Sequence, residues 1–333
     1  MNNDVFTAGQ GTTPGTVFPL HTITVVTATP KEMHRFLADG IGLAAKPAIT
    51  LSAEDQTRIG AYLGMPETTA WSVQAYHRGD GHGDTQVRVI GIESPGEVVR
   101  PEVNGRYVGG LSIGFAMDDL EAREAIMREH GFESSVGVKS LEFAKPDGTR
   151  YVSQEIHFIG PEQVLGLGVK RPDGFQPVGP LDPEAGVSGP AYSALCVPDA
   201  DAAMAFLEQV LEFEIRRDVD LTVAQPSGLR LATGMKERFV QAFAPGASTG
   251  YLVLLDHYSE NIPTPAKTQG PPSRGIVMWS FPTSDLAAAY DRAQAAGASI
   301  LAPPARYDSP FLDNAESMIV QMPSGYPVEL FSQ

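Results

Sequence analysis

The chain has 333 residues, 42% of them hydrophobic, which is enough to bury a large core and fits two domains better than one. Its 24 Lys and Arg against 40 Asp and Glu give a formal charge of -16, which repels phosphate backbones and anionic lipid surfaces and argues against nucleic acid and membrane as partners. A single cysteine, Cys196, leaves no disulfide framework and lies in an apolar run that reads as core.

Residues 1–16 are polar and rich in Gly and Thr, lack the basic start and apolar stretch of a signal peptide, and read as a flexible tail. No run reaches the ~18 apolar residues of a membrane-spanning helix, so a cytoplasmic chain is expected. From His21 an apolar strand leads into an amphipathic helix, PKEMHRFLADGIG, with apolar residues at three- and four-residue spacing. The alternating strands AWSVQAYHR and TQVRVIGI follow. The pattern restarts near Leu111 with the helix DLEAREAIMREHG, near Tyr192 with DADAAMAFLEQVLEF, and near Ile276 with DLAAAYDRAQAAG. Turn-bounded strands such as YLVLLDHY, SMIVQM and YPVELFS come after the last two. The spacing thus predicts an α+β chain of four tandem βαβββ modules. A stretch rich in Pro, Gly and Asp, KRPDGFQPVGPLDPEAGVSGP, has no apolar period and reads as a linker. The resulting division is a tail over 1–16, an N-terminal domain over 17–170, a linker over 171–190 and a C-terminal domain over 191–333.

The two halves are related to each other. GLSIGFAMDDLEAREAIMREHGF, from Gly110, aligns without gaps on IVMWSFPTSDLAAAYDRAQAAGA, from Ile276, pairing Phe115 with Phe281 and Gly131 with Gly297 at a constant spacing of 166. Val73, Gln74, Ala75 and Tyr76 fall on Val240, Gln241, Ala242 and Phe243 at a spacing of 167. Independent segments agreeing on nearly one offset point to duplication, with a one-residue loop insertion.

Four such modules, with a last strand ending PSGYPVEL, resemble the vicinal oxygen chelate superfamily, which includes glyoxalase I, bleomycin- and fosfomycin-resistance proteins and the type I extradiol dioxygenases. The likeness spans roughly residues 17–333. It implies paired modules forming two cup-shaped mixed sheets, and a divalent metal (Fe2+, Mn2+ or Zn2+) on a concave face, held by His or Gln on first strands and Glu on last strands. The pattern is nearest to the hydroquinone ring-cleaving dioxygenases, in which modules one and four share the metal. Here the corresponding start is Leu20-His21-Thr22-Ile23-Thr24 and the ending Pro323-Ser324-Gly325-Tyr326-Pro327-Val328-Glu329. Glu329 matches the carboxylate ligand, whereas Thr22 takes the metal-binding histidine's place and His21 that of the acid-base histidine. The other positions fall on Ser112, Tyr192, Leu254, Val277, Met278 and Ile319, which are poor ligands for such a metal.

The candidate catalytic residues are therefore His21 and Glu329, which are also the candidate metal ligands. His21 reads as a general base or ligand, or as a strand-end histidine bonded to backbone. Glu329 reads as a buried carboxylate needing a partner, or as an outward surface residue. Thr22, Arg88, Tyr192, His257, Met278 and Trp279 are candidate substrate-binding residues, with Gln86, Trp71, Tyr76 and Phe281 as further pocket or core positions. His157 faces either the cup or solvent. His77 and His82 read as exposed hairpin residues, His34 and His130 as ordinary helix residues. The expected function is a small-molecule enzyme using acid-base, lyase- or isomerase-like chemistry on an oxygenated substrate, aromatic or aliphatic. The alternatives are a metal-dependent ring-cleaving dioxygenase and a non-catalytic binding protein of the drug-resistance type. Monomer and homodimer both remain open.

Overall fold

Four times along the chain a buried strand leads into a helix and returns through antiparallel strands, the last of which pairs in parallel with the first. A computed structural model describes residues 15–66, 71–79, 85–93, 96–103, 107–144, 148–223, 229, 231–258, 266–312 and 314–333. The first module holds β1 (Thr22–Thr27), α1 (Pro30–His34, continued by a wider turn Arg35–Gly40), β2 (Ala44–Ala45), α2 (Ala53–Leu63), β3 (Trp71–His77) and β4 (Gln86–Ile92). The second has β5 (Gly109–Ala116), α3 (Leu120–Glu129), β6 (Lys139–Ala144), β7 (Arg150–Ile159) and β8 (Leu165–Lys170). The third has β9 (Tyr192–Cys196), α4 (Ala200–Gln209), β10 (Glu214–Thr222), β11 (Lys236–Phe243) and β12 (Tyr251–Asp256). The fourth has β13 (Gly275–Thr283), α5 (Leu286–Ala295), β14 (Ser299–Arg306), β15 (Glu316–Gln321) and β16 (Pro327–Ser332). The α+β architecture of four βαβββ modules is the one read from the sequence.

Local chemistry explains the repeat. Asp119, Asp199 and Asp285 each accept a hydrogen bond from the backbone N–H three residues on, capping α3, α4 and α5. Gly131 and Gly297 end α3 and α5 in left-handed conformation, φ 82° and 69°. The α2 helix lies outside the expected pattern. Its start is set by Ser52, whose hydroxyl accepts from Asp55 N–H, and its end by Gly64, φ 71°.

The strands form two eight-stranded sheets, ordered β14-β15-β16-β13-β1-β4-β3-β2 and β10-β11-β12-β9-β5-β8-β7-β6. Module one thus joins module four through antiparallel β1 and β13, and module two joins module three through β5 and β9. The halves 17–170 and 191–333, expected as domains, each contribute one module to both sheets. Each first strand has a free edge, and the first strand of the partner module satisfies it. Residues 171–190 are more than a spacer: Met117 bridges Val187, Leu181 bridges Ser188, and Val178 is buried. Of the expected tail, residues 1–14 lie outside the described residues, while Thr16 bonds Glu212.

One core runs between the helices and the convex faces of both sheets, taking Ile23, Phe36, Phe115, Phe206, Phe281 and Leu330. The sheets approach closely where a Cβ on Gly110 would sit 2.2 Å from the Ile276 carbonyl oxygen. Separate apolar clusters occupy the two concave faces. Among the described residues no helix is long and apolar enough to cross a membrane.

Candidate functional site

The first cup, built by modules one and four, is where the sequence pointed. Strand pairing sets Thr22 opposite Ser280 and Thr24 opposite Met278 across β1 and β13, Arg88 beside Thr24 on β4, and Glu329 beside Ser280 on β16. Because alternate residues share a face, these side chains converge on the concave floor. Glu329 is completely buried there. It accepts hydrogen bonds from Arg88 Nη2 at 2.9 Å, Ser280 Oγ at 2.6 Å and Tyr62 OH at 2.9 Å. Arg88 also donates to Thr24 Oγ1 from Nε and Nη2, and its guanidinium lies 4.8 Å over the Phe311 ring.

Among the described residues, side chains of the protein pack into this cup. Tyr62 arrives on α2 and stacks on Tyr307 at 4.1 Å, and Leu51, Ile59, Leu63 and Met65 pack beneath it against Val26, Ile90 and Met278. His21 stands apart from this knot. Its Nδ1 is 2.8 Å from Thr22 Oγ1 and its ring meets Phe331 edge-on at 5.2 Å, while the hydrogen bonds of Glu329 come from other residues. The two expected catalytic residues therefore do not form a pair. Trp279 lies on the opposite face from Met278, in the inter-sheet core against Tyr326, so it cannot line a cup as expected.

The second cup, built by modules two and three, is open. It encloses a cavity of about 230 Å3. Its floor is apolar: Leu167 and Val169 on β8, Ala194 on β9, and Val253 and Leu255 on β12. Leu254, the expected last-strand position, faces the inter-sheet core instead, one residue out of phase. A bulge between Gly110 and Ser112 brings both Leu111 and Ser112 to the cavity. Tyr192 lines the floor and stacks on Tyr251 at 4.9 Å; burial pushes both phenols well above their usual range. Gly114, paired with Tyr192 across the strands, makes room for that ring, since a Cβ there would lie 2.0 Å from it.

The polar groups of this cup sit on the outer strands. Glu237 on β11 is buried away from water and lies near Glu155, and these two effects, burial first, push its carboxyl up to about 7. His257 Nδ1 is 3.4 Å from Glu237 Oε2, so His257 lies behind the wall, next to a cavity residue. Gln241 Oε1 and Ser112 Oγ are buried without a hydrogen-bond partner among the described residues. His157 lines the cavity, 3.9 Å from Glu155. Sequence reasoning passed over Glu237, Arg217 and Tyr151. The alternation Glu237, Phe239, Gln241 in KERFVQAF carried the signal, but which outer strands complete a cup depends on module pairing.

The remaining positions are structural. His34 Nδ1 lies 3.1 Å from Tyr76 OH, His77 Nδ1 2.6 Å from the Arg78 carbonyl, and Gln86 donates to Thr22 Oγ1. The carbonyl of His130 accepts from Arg35. His82 lies outside the described residues. Burial raises the Cys196 thiol to about 11, as suits a core residue.

The divalent metal implied by the resemblance does not fit these residues. In the first cup Glu329 is already neutralised by the Arg88 guanidinium, and its neighbours Thr22, Thr24 and Ser280 are hydroxyls. The floor of the second cup offers hydrocarbon, Ser112 and two neutral phenols. Among the described residues no group of three or more His, Cys, Asp or Glu is placed to hold a metal ion.

Residues 189–330 match the family model described as Glyoxalase/Bleomycin resistance protein/Dioxygenase superfamily. Glyoxalase I from Zea mays superposes with a TM-score of 0.62 over 94% of this chain and 92% of its own, at 12% identity. A Bacillus subtilis subsp. subtilis str. 168 protein named as a dioxygenase gives 0.60 over 95% of this chain and 85% of its own, at 14% identity. At such identities the likeness is one of fold. No curated protein matches the chain in sequence. By the family model the third and fourth modules belong to the glyoxalase/bleomycin resistance protein/dioxygenase superfamily, and the same βαβββ architecture continues through the first two.

Proposed function

We propose that the chain takes a flat, mostly apolar, oxygenated small molecule into the second cup, and that Glu237 exchanges a proton with it. The observation that carries this reading is a carboxyl that keeps its proton up to about 7 at the wall of an apolar cavity of about 230 Å3. An acid or base is most effective when it titrates near the working pH. A lyase- or isomerase-like step, in which a proton moves at carbon next to a carbonyl, is the chemistry such a group supports. The cavity exceeds the ~150 Å3 apolar void that takes up benzene, so a ligand larger than one ring has room. This reading moves the chemistry from His21 and Glu329 to Glu237, because Glu329 is engaged by Arg88 and Tyr62 and the apolar side chains around it pack into the first cup. Metal-dependent ring cleavage would ask for imidazole and carboxylate ligands on a cup floor, where this chain has Thr22, Ser112, Tyr192 and Met278. The reading takes the chain as a cytoplasmic protein, monomer or homodimer.

A second reading is binding without turnover, favoured by the apolar floor around Ala194 and Val253. Titration with 2-naphthol, followed by its fluorescence, tests occupancy. Binding is expected in the parent and lost in Ala194→Phe, which fills the cavity; persistence in that variant would move the site elsewhere. Screening turnover of oxygenated aromatics then separates the two readings. Loss of turnover in Glu237→Gln with binding retained supports proton transfer, while binding without turnover in the parent supports sequestration.

A further inference from the structure

The second cup carries a positive charge that has no ion-pair partner among the described residues. Arg217 on β10 lines the cavity with its guanidinium 5.2 Å from the Phe143 ring and 5.5 Å from the Phe239 ring. No carboxylate among the described residues lies within ion-pair distance of it. Its neighbours are treated differently: Arg216 pairs with Glu214 at 3.0 Å, and Arg238 with Asp201 and Asp218. Arg217 also ends a continuous row of cations and rings. Arg171 lies 5.2 Å over Tyr151, Tyr151 stacks on Phe143 at 5.6 Å, and Phe143 meets Arg217. A stacked guanidinium keeps its N–H donors directed along its own plane, away from the rings, where they can meet a carboxylate fork.

The other charges are placed so that they do not answer it. Arg217 pairs across the strands with Gln241, at the far end of β11 from Glu237, which pairs with Leu221. Glu155 stands on β7, beside Val169. The floor near these groups is apolar and includes the stacked Tyr192 and Tyr251 rings. A flat hydrocarbon body with one anionic end complements this surface, and a carboxylate matches the geometry of a guanidinium by two parallel hydrogen bonds.

We propose that the ligand of the second cup is an aromatic monocarboxylate, its ring system on the floor of Tyr192, Ala194 and Val253 and its carboxylate paired with Arg217. The inference rests on the reading of the second cup as the ligand site. It is tested with two probes of one shape and different charge, 2-naphthoate and 2-naphthamide, titrated calorimetrically into the full chain and into Arg217→Met at about pH 6, where naphthoate is ionised. The parent is expected to bind naphthoate about tenfold more tightly than naphthamide. Arg217→Met is expected to remove that preference while leaving naphthamide affinity within about twofold. Equal binding of both probes by the parent overturns the carboxylate assignment and leaves the cup reading standing. A preference that survives in Arg217→Met overturns the role of Arg217. Failure of both probes in the parent overturns the cup reading, and this inference with it.

Discussion

Glu329 accepts hydrogen bonds from Arg88, Ser280 and Tyr62, so removing its charge leaves a buried guanidinium without its counter-ion. Glu329→Gln should therefore cost about 3 to 5 kcal/mol in urea unfolding, without changing probe affinity in the second cup. Replacing both partners by apolar residues, Arg88→Met with Glu329→Leu, should recover most of that loss, since the desolvation cost disappears along with the attraction. Glu237 behaves in the opposite way. In the unfolded chain its carboxyl loses its proton near the ordinary value of 4.5, whereas in the folded protein it holds the proton to about 7. Between those values the unfolded state binds fewer protons, so stability falls as pH rises, and the full cost of about 3 kcal/mol is present above about pH 7. Denaturation midpoints from pH 5 to 8 should show this decline in the parent and lack it in Glu237→Gln. The difference between the two curves isolates Glu237 from Glu155, His157 and His257, which are present in both proteins.

At the scale of elements, α2 decides which cup is available. It carries Tyr62 onto Glu329 and packs Ile59 and Leu63 over the concave face. Tyr62→Ala should cost about 3 to 5 kcal/mol and open a cavity in the first cup. Added phenol should then raise the melting temperature of the variant and not of the parent; an unchanged melting temperature would mean that α2 settles into the space. The β5 and β9 pair sets the floor of the second cup. Gly114→Ala drives a methyl into the Tyr192 ring, and a loss of about 1 to 3 kcal/mol with weakened probe binding is expected, read by unfolding and by titration.

At the scale of the molecule, the two halves are woven together. Residues 1–170 alone would leave β1 and β5 without their antiparallel partners β13 and β9, exposing two central strand edges. Each half expressed alone should lack a cooperative unfolding transition, and co-expression should restore it; a half that unfolds cooperatively by itself would show that sheet closure is dispensable. The helix-side core shared by Phe115, Phe206 and Phe281 adds to this interdependence.

The amino-acid sequence alone determined the modules, because their marks are local. Apolar spacing, the capping aspartates 119, 199 and 285 and the terminal glycines 131 and 297 act within one or two turns of chain, and duplication repeats them at a fixed interval. It also set Thr22, Ser112, Tyr192 and Met278 at the positions that the resemblance assigns to metal ligands, and strand alternation carries all four to concave faces. Only the tertiary structure decided what those faces do. Arg88 meets a carboxylate 241 positions away, α2 enters the first cup from an insertion, and the walls of the second cup come from outer strands of two different modules. Such contacts depend on which first strands pair, and four modules with the same local pattern carry no local signal for that choice.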